Sequence, residues 1–272
     1  MDGALSIRNA RKIYDAKTAK VLALENIDLE IAAGEFCVVV GPSGCGKTTL
    51  LNAIAGFDTL TSGSITLDGD PLASANACAS PDARRIVVFQ NGALFPWRTV
   101  LWNVTCGPVM QKRLKASEAN AQAMELLARV GLLDSAAKFP GELSGGQRRR
   151  VEIVRALINQ PKVLLLDEPF RALDALTKNV MQEYLIELLT FVPKTVFFIT
   201  HDLEEAIFLG DKVFVFSSRP AKIRQSLTID IPKPRRHDVL TSPRFLEYKS
   251  MLSGAIHEEA LRAFTIGEKE LA

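Results

Sequence analysis

The absences in this sequence set its class before any motif does. No apolar run approaches the ~20 residues that a membrane-spanning helix requires. The opening Met1-Asp2-Gly3-Ala4 has no basic stretch followed by an apolar core, so no secretion signal is expected. Charge of one sign is lacking as well. The 33 Lys and Arg against 31 Asp and Glu leave a net charge of +2, too balanced to point to nucleic acid. Cysteine is scarce: Cys37, Cys45, Cys78 and Cys106 form no C-x-x-C pair, which argues against a zinc site or disulfide framework and fits a reducing cytosol. What remains, 47% hydrophobic and 24% charged over 272 residues, is the composition of a soluble globular chain of one large domain or two small ones.

The most informative stretch is Gly41-Pro42-Ser43-Gly44-Cys45-Gly46-Lys47-Thr48-Thr49. It follows the apolar run 36–40, which reads as a buried strand, and precedes 50–55, which reads as a helix. Strand, glycine loop and helix in that order is the context of a P-loop. Glycines let successive backbone N–H groups face one concavity, and the helix start adds its positive end, so the loop suits a polyphosphate. Lys47 is expected to reach the β- and γ-phosphates, and the Thr48 hydroxyl to bind Mg²⁺. Nucleotide is expected to slow alkylation of Cys45.

Residues 5–40 read as strands, with Leu22, Leu24, Ile27, Leu29 and Ile31 alternating with polar residues over most of the stretch. Tyr14 lies here, either as a ring that stacks on adenine or as a half-buried strand aromatic. Ser64–Leu67 reads as a short strand, Asp68-Gly69 as a turn, and Leu72 to Asp82 as a surface loop. The strand 85–89 ends at Gln90, whose amide points into a site at the sheet edge or simply starts a solvated loop. From Asn91 to about Gln160 the pattern becomes helical, with Ser117 as a candidate N-cap. Leu94-Phe95-Pro96-Trp97-Arg98 at its start reads as a protein contact surface or as local packing.

Leu143-Ser144-Gly145-Gly146-Gln147 opens a helix and is a second candidate anion site, although Ser-Gly-Gly is also a common loop. In the run Arg148-Arg149-Arg150 that follows, Arg149 reads as general surface charge. Val163–Leu166 then runs into Asp167-Glu168, a central strand whose tip carries two carboxylates: Asp167 suited to Mg²⁺, Glu168 to polarising water. Asp174 follows in Ala172-Leu173-Asp174. Another buried strand, 194–200, ends at His201, either a structural histidine or a polar group at the same edge as Gln90 and Asp167. A short helix at 203–209, a strand at 212–216, an edge hairpin at 223–231 and a helical tail at 240–266 complete the pattern.

Together these motifs, spanning about residues 14–235, resemble the ATP-binding subunit of ABC transporters. The resemblance implies an α/β fold: a P-loop NTPase (RecA-like) core with an antiparallel β subdomain and a helical subdomain. The expected boundaries are 1–90 with 161–235 for the core, 91–160 for the helical signature subdomain and 236–272 for the tail. It implies an Mg-dependent ATPase in which Tyr14 stacks on adenine and Gln90 senses Mg²⁺ and the γ-phosphate. Glu168 is then the general base and His201 contacts the γ-phosphate. Two copies stack head to tail, each ATP lying between loop 41–49 of one and Ser144-Gly145-Gly146-Gln147 of the other, with Asp174 contacting across the dimer. The segment 91–98 would meet a transmembrane permease subunit, and an extracytoplasmic solute-binding protein would act indirectly; nucleic acid is not a partner. Phe89 to Val100 is similar to the nitrate/sulfonate/taurine importer group, which implies uptake of a small anionic solute from the cytoplasmic face of the inner membrane. An exporter or lipid-handling cassette and a soluble non-transport ATPase are the alternatives. Two positions depart from the usual pattern: Arg171 replaces a small residue, and Arg149 stands where Gln is common.

Overall fold

A computed structural model describes residues 2–15, 20–75 and 77–270. The alternating N-terminal residues form β1 (Leu5–Asp15) and β2 (Lys20–Ile31), paired antiparallel. The alternation in β2 changes phase between Leu24 and Ile27, and the structure shows why. Asn26 takes φ 52° and the pairing slips from Lys12↔Leu24 to Ala10↔Ile27, a bulge that leaves both Leu24 and Ile27 buried. The buried strand β3 (Phe36–Val40) feeds α1 (Lys47–Ala55), as the glycine-loop reading requires.

Next come β4 (Ser62–Leu67), β5 (Asp70–Ser74) and β6 (Ala77–Cys78), completing an antiparallel sheet of order β2-β1-β4-β5-β6. The Asp68-Gly69 turn has φ of 52° and 86°, the left-handed pair that a two-residue hairpin needs. The loop expected from Leu72 to Asp82 is corrected in its first part. Leu72 and Ala73 are buried, and Ala73 pairs with Ile65 on one side and Cys78 on the other. Short apolar stretches between turn residues carry no helical or strand period, so the pairing was not visible locally.

The chain continues through β7 (Arg85–Val88), α2 (Val100–Met110), α3 (Ala116–Arg129), α4 (Gly145–Leu157), β8 (Val163–Asp167) and α5 (Ala175–Phe191). Ser117 is not the cap of α3. The helix starts one residue earlier, and Glu118 accepts from the Lys115 N–H at 3.1 Å to close the first turn. Last come β9 (Thr195–Ile199), α6 (Leu203–Leu209), β10 (Lys212–Phe216), β11 (Ile223–Thr228) and α7 (Pro243–Glu270). Buried Arg235 closes the end of α6 by donating to the carbonyls of Ile207 at 2.8 Å, Phe208 at 3.1 Å and Gly210 at 2.6 Å.

Two compact units result. The first joins Met1–Asp82 with Lys194–Ala272; the second is Ala83–Pro193. The first holds the antiparallel sheet and the run β11-β10-β3-β9, in which β10, β3 and β9 are parallel and β11 is antiparallel to β10. The second holds α2, α3, α4 and α5 and the parallel pair β7–β8, in register from Arg85↔Val163 to Val88↔Leu166. These units divide at 82 and 193, and β7 and β8 pair with each other inside the second. Tail residues 271 and 272 lie outside the described residues. Among the described residues no helix is long and apolar enough to cross a membrane.

Candidate active site

In the first unit, β3 and β9 lie side by side and parallel, so the loop after Val40 and His201 after Thr200 leave the same carboxyl edge. The Thr200 N–H donates to the Val39 carbonyl at 3.2 Å, which ties the two strand ends together. Such an edge is where parallel α/β sheets bind ligands. Within the loop, Gly44 and Gly46 take φ of 73° and 119°, the left-handed conformations that turn successive N–H groups inward. Gly46 has a second reason to lack a side chain: a Cβ there would stand 2.8 Å from the Ala23 carbonyl oxygen. Ser43, Gly44 and Thr48 are exposed, whereas Gly41, Cys45 and Lys47 are buried. The Lys47 ammonium donates to the carbonyls of Gly41 and Pro42, each at 2.8 Å, so it is held at the mouth of the loop rather than projecting into solvent.

Tyr14 is 38% exposed, so its ring can be covered by a ligand. Its hydroxyl donates to Asp58 at 2.6 Å, shares a hydrogen bond with the Thr49 side chain, and the Lys12 ammonium lies 4.9 Å from its ring centroid. Lys12 in turn donates to the other Asp58 oxygen at 2.5 Å. Asp58 thus fixes the orientation of the tyrosine beside the start of α1. Sequence reading missed Asp58, since an aspartate in a Gly- and Ser-rich stretch signals only a turn.

In the second unit, β7 and β8 deliver Gln90 and the Asp167-Glu168 pair to a common carboxyl edge. Asp167 and Glu168 are partly covered, and Gln90 is exposed. Glu168 takes φ 43°, a left-handed conformation that costs a non-glycine residue about 1–3 kcal/mol and is found at functional positions. Ser144 caps α4. Its hydroxyl accepts from the Gln147 N–H at 3.2 Å, and the Gln147 side chain accepts from the Ser144 N–H at 2.9 Å. Ser144 and Gly145 are exposed at this helix start, and Gly146 is buried where a Cβ would press within 2.6 Å of the Thr177 methyl. Asp174 caps α5, accepting from the Thr177 N–H at 3.0 Å; the hydrogen bond from the Thr177 side chain first, and then this N–H, hold its carboxyl below the usual range.

Arg149 is where the structure departs from expectation. It is not surface charge: it is 6% exposed and spreads its guanidinium over one carboxylate and three main-chain carbonyls. It donates to Glu152 at 2.5 Å, to the carbonyls of Phe89 at 2.8 Å and Gln90 at 3.2 Å, and to the carbonyl of Pro169. Glu152, also buried, accepts in addition from the Ala93 N–H at 2.9 Å. Sequence reading passed over Glu152, although its i,i+3 spacing from Arg149 on one helix was a usable signal. Gln90, Gly145, Arg149, Glu152 and Pro169 line a cleft of about 460 Å³ that reaches to Leu94 and Pro96. Arg171, the second unusual arginine, donates to Glu168 at 2.9 Å.

The first unit offers the Thr48 hydroxyl, and the second the Gln90 amide oxygen and the Asp167 carboxylate. Oxygen donors of these types suit a hard cation such as Mg²⁺.

Comparisons with known proteins identify the family. The profile of the ABC transporter family matches residues 24–171, more than half of the chain. The chain is similar to the nitrate import ATP-binding protein NrtD of Synechocystis sp., 43% identical over 93% of this chain and 94% of that protein. The taurine import ATP-binding protein TauB of Rhizobium johnstonii is 42% identical over 95% and 99% respectively. Among solved structures, a dimeric post-hydrolysis state of the ATP-binding cassette MJ0796 bound to ADP and Pi superposes with a TM-score of 0.70. It is 30% identical and matches 84% of this chain and 100% of that one. On this family match over residues 24–171 and this identity over nine-tenths of its length, the chain belongs to the ABC transporter family, as its ATP-binding, ATP-hydrolysing cassette.

Proposed function

We propose that this chain powers an importer of a small anionic solute, working as a pair of copies that close on two ATP molecules. The observation that carries the reading is that, among the described residues, one chain holds one loop of the 41–49 pattern, left-handed at Gly44 and Gly46, and one exposed serine-capped helix start, at Ser144. One copy of each completes no sandwich alone; two copies stacked head to tail complete two. Similarity to a cassette solved as a dimer supports this arrangement. Relatives named for nitrate, taurine and bicarbonate support import and an anionic cargo.

Loop N–H groups and Lys47 hold the triphosphate, and Tyr14 covers the base, its position fixed by Asp58. Thr48, Gln90 and Asp167 are the residues that would hold Mg²⁺, which when bound offsets charge on the β- and γ-phosphate oxygens. Water attacks the γ-phosphorus, its proton passes to the Glu168 carboxylate, and the bond to the ADP oxygen breaks. His201 contacts the γ-phosphate, and Ser144, Gly145, Gly146 and Gln147 of the second copy close over it. Asp174 lies beside that contact. Closure and parting of the pair is the stroke that permease subunits of the inner membrane feel on its cytoplasmic side, and a solute-binding protein outside supplies them.

The permease would meet the Phe95–Arg98 loop. Trp97 is 69% exposed there, stacked obliquely on Phe95 with centroids 5.8 Å apart, beside the cleft lined by Leu94 and Pro96. Exposed aromatics over a preformed cleft are the usual anchors of a protein interface. The test is direct. Glu168→Gln is expected to lower turnover at least a hundredfold and, with Mg-ATP, to elute as a dimer on size exclusion. Normal hydrolysis by that variant would remove Glu168 from its role, and a monomer with ATP bound would sink the sandwich.

A further inference from the structure

We propose that Arg149 and Arg171, the two arginines that depart from the family's usual pattern, are positioning residues that together hold Glu168 in its working orientation. The inference rests on reading Glu168 as the general base. The two arginines grip adjacent residues, Arg171 holding Glu168 and Arg149 holding Pro169. Arg171 grips the Glu168 side chain, with Nη1 2.9 Å from Oε2, and its own N–H donates to the Glu168 carbonyl at 3.3 Å. Arg149 grips the next residue from the other side by donating to the Pro169 carbonyl. Between these two anchors the backbone of Glu168 stands at φ 43°, a conformation that survives only where its surroundings impose it.

The burial of the two arginines separates their jobs. The Arg171 side chain is 52% exposed and the Glu168 side chain 13%, so this pair adds little to stability. What it does is favour a rotamer in which Oε2 faces Arg171. Arg149 is buried, and a planar guanidinium distributes its donors over fixed directions that a lysine or glutamine cannot reproduce. Its remaining donors hold the Phe89 carbonyl at 2.8 Å and the Gln90 carbonyl at 3.2 Å, and Glu152 neutralises it at 2.5 Å. Glu152 extends the grip to the Ala93 N–H. One arginine on α4 therefore ties the strand end bearing Gln90 to the peptide that follows Glu168. A shift at Gln90 reaches the base through Arg149 rather than through solvent.

The experiment is steady-state hydrolysis of Mg-ATP by Arg149→Gln, Arg171→Ala and Arg171→Lys, the first two also placed in the Glu168→Gln background. Misplacing a catalytic group by about 1 Å costs up to ~100-fold, so kcat is expected to fall about tenfold to a hundredfold in Arg149→Gln and Arg171→Ala. KM for ATP is expected to stay within about twofold, because neither arginine belongs to the triphosphate loop. Arg171→Lys, which keeps a cation within reach of Glu168, is expected to recover part of kcat. In the Glu168→Gln background neither arginine change lowers the residual rate further. Unchanged kcat in both single variants, a KM that rises in step with the loss, or full multiplicative losses in the Glu168→Gln background overturns the proposal. If Glu168→Gln itself turns over normally, the base reading fails. If it is inactive while the arginine variants run at the parent rate, only the positioning roles fail. Arg171 is half exposed, so its variants decide the matter even where Arg149→Gln does not fold.

Discussion

At the scale of single residues, placement governs chemistry more than identity does. Cys45 illustrates this. Its position inside the glycine loop led to the expectation that nucleotide would protect it from alkylation. The structure corrects that: Cys45 is 1% exposed, its Sγ 3.2 Å from where a Cβ on Gly41 would sit. Burial also pushes its thiol above the ordinary value, against an opposing pull from Lys47. Alkylation is therefore expected to be slow both with and without ATP, and slower than at Cys78, which is partly exposed. Mass-spectrometric labelling of the four cysteines checks it; Cys45 reacting as fast as Cys78 would place its sulfur outside the loop's underside.

At the scale of elements, polar side chains hold loops that carry no regular structure of their own. The Phe95–Thr99 segment has no ladder to satisfy its backbone, and fully buried Asn103 on α2 does so instead. Its amide oxygen accepts from the Phe95 N–H at 2.8 Å, and its NH₂ donates to the carbonyls of Phe95, Arg98 and Thr99 at 3.0–3.1 Å. Asn103→Ala leaves the Phe95 N–H without this acceptor and opens a small cavity. The expected loss is about 1–3 kcal/mol, read as a lower urea midpoint at unchanged m-value. Arg155 stacks on Phe95 at 4.9 Å and donates to the Ala93 carbonyl at 2.6 Å, so the loop rests on α4 as well as α2. A midpoint equal to the parent's would mean that these contacts hold the loop unaided.

For the whole molecule, acid is the condition to which stability is most exposed. Asp230 accepts from Arg244 at 2.8 and 3.0 Å and from Tyr248 at 2.5 Å, joining the segment after β11 to α7. These bonds, Arg244's first, bring its carboxyl from 3.8 down to about 2. Burial alone would raise Asp58, but the Lys12 and Tyr14 hydrogen bonds outweigh it and hold it low as well. A carboxylate depressed in the folded chain stays charged where the unfolded chain takes up protons. Its contribution is complete above the unfolded value near 3.8 and disappears as pH falls toward 2. Stability is therefore expected to be flat through these groups above about pH 5 and to fall steeply below pH 4. Asp230→Asn is expected to flatten part of that slope in urea titrations from pH 2 to 7. An unchanged slope would show that the Asp230 carboxyl titrates alike in the folded and unfolded chain.

The sequence by itself determined the order of elements and the chemistry of each site segment. The loop 41–49 is legible because only glycines reach φ of 73° and 119° without strain, and β3 and β8 are legible because strands buried on both faces must be continuously apolar. Local signals of that kind need no partner. Tertiary structure alone decided what no local period encodes: the pairing of β5 with β6, the burial of Arg149, the Asp58 brace on Tyr14 and the grip of Arg171 on Glu168. A charged residue looks the same in sequence whether water or three carbonyls surround it, and only the fold says which carbonyls lie within reach.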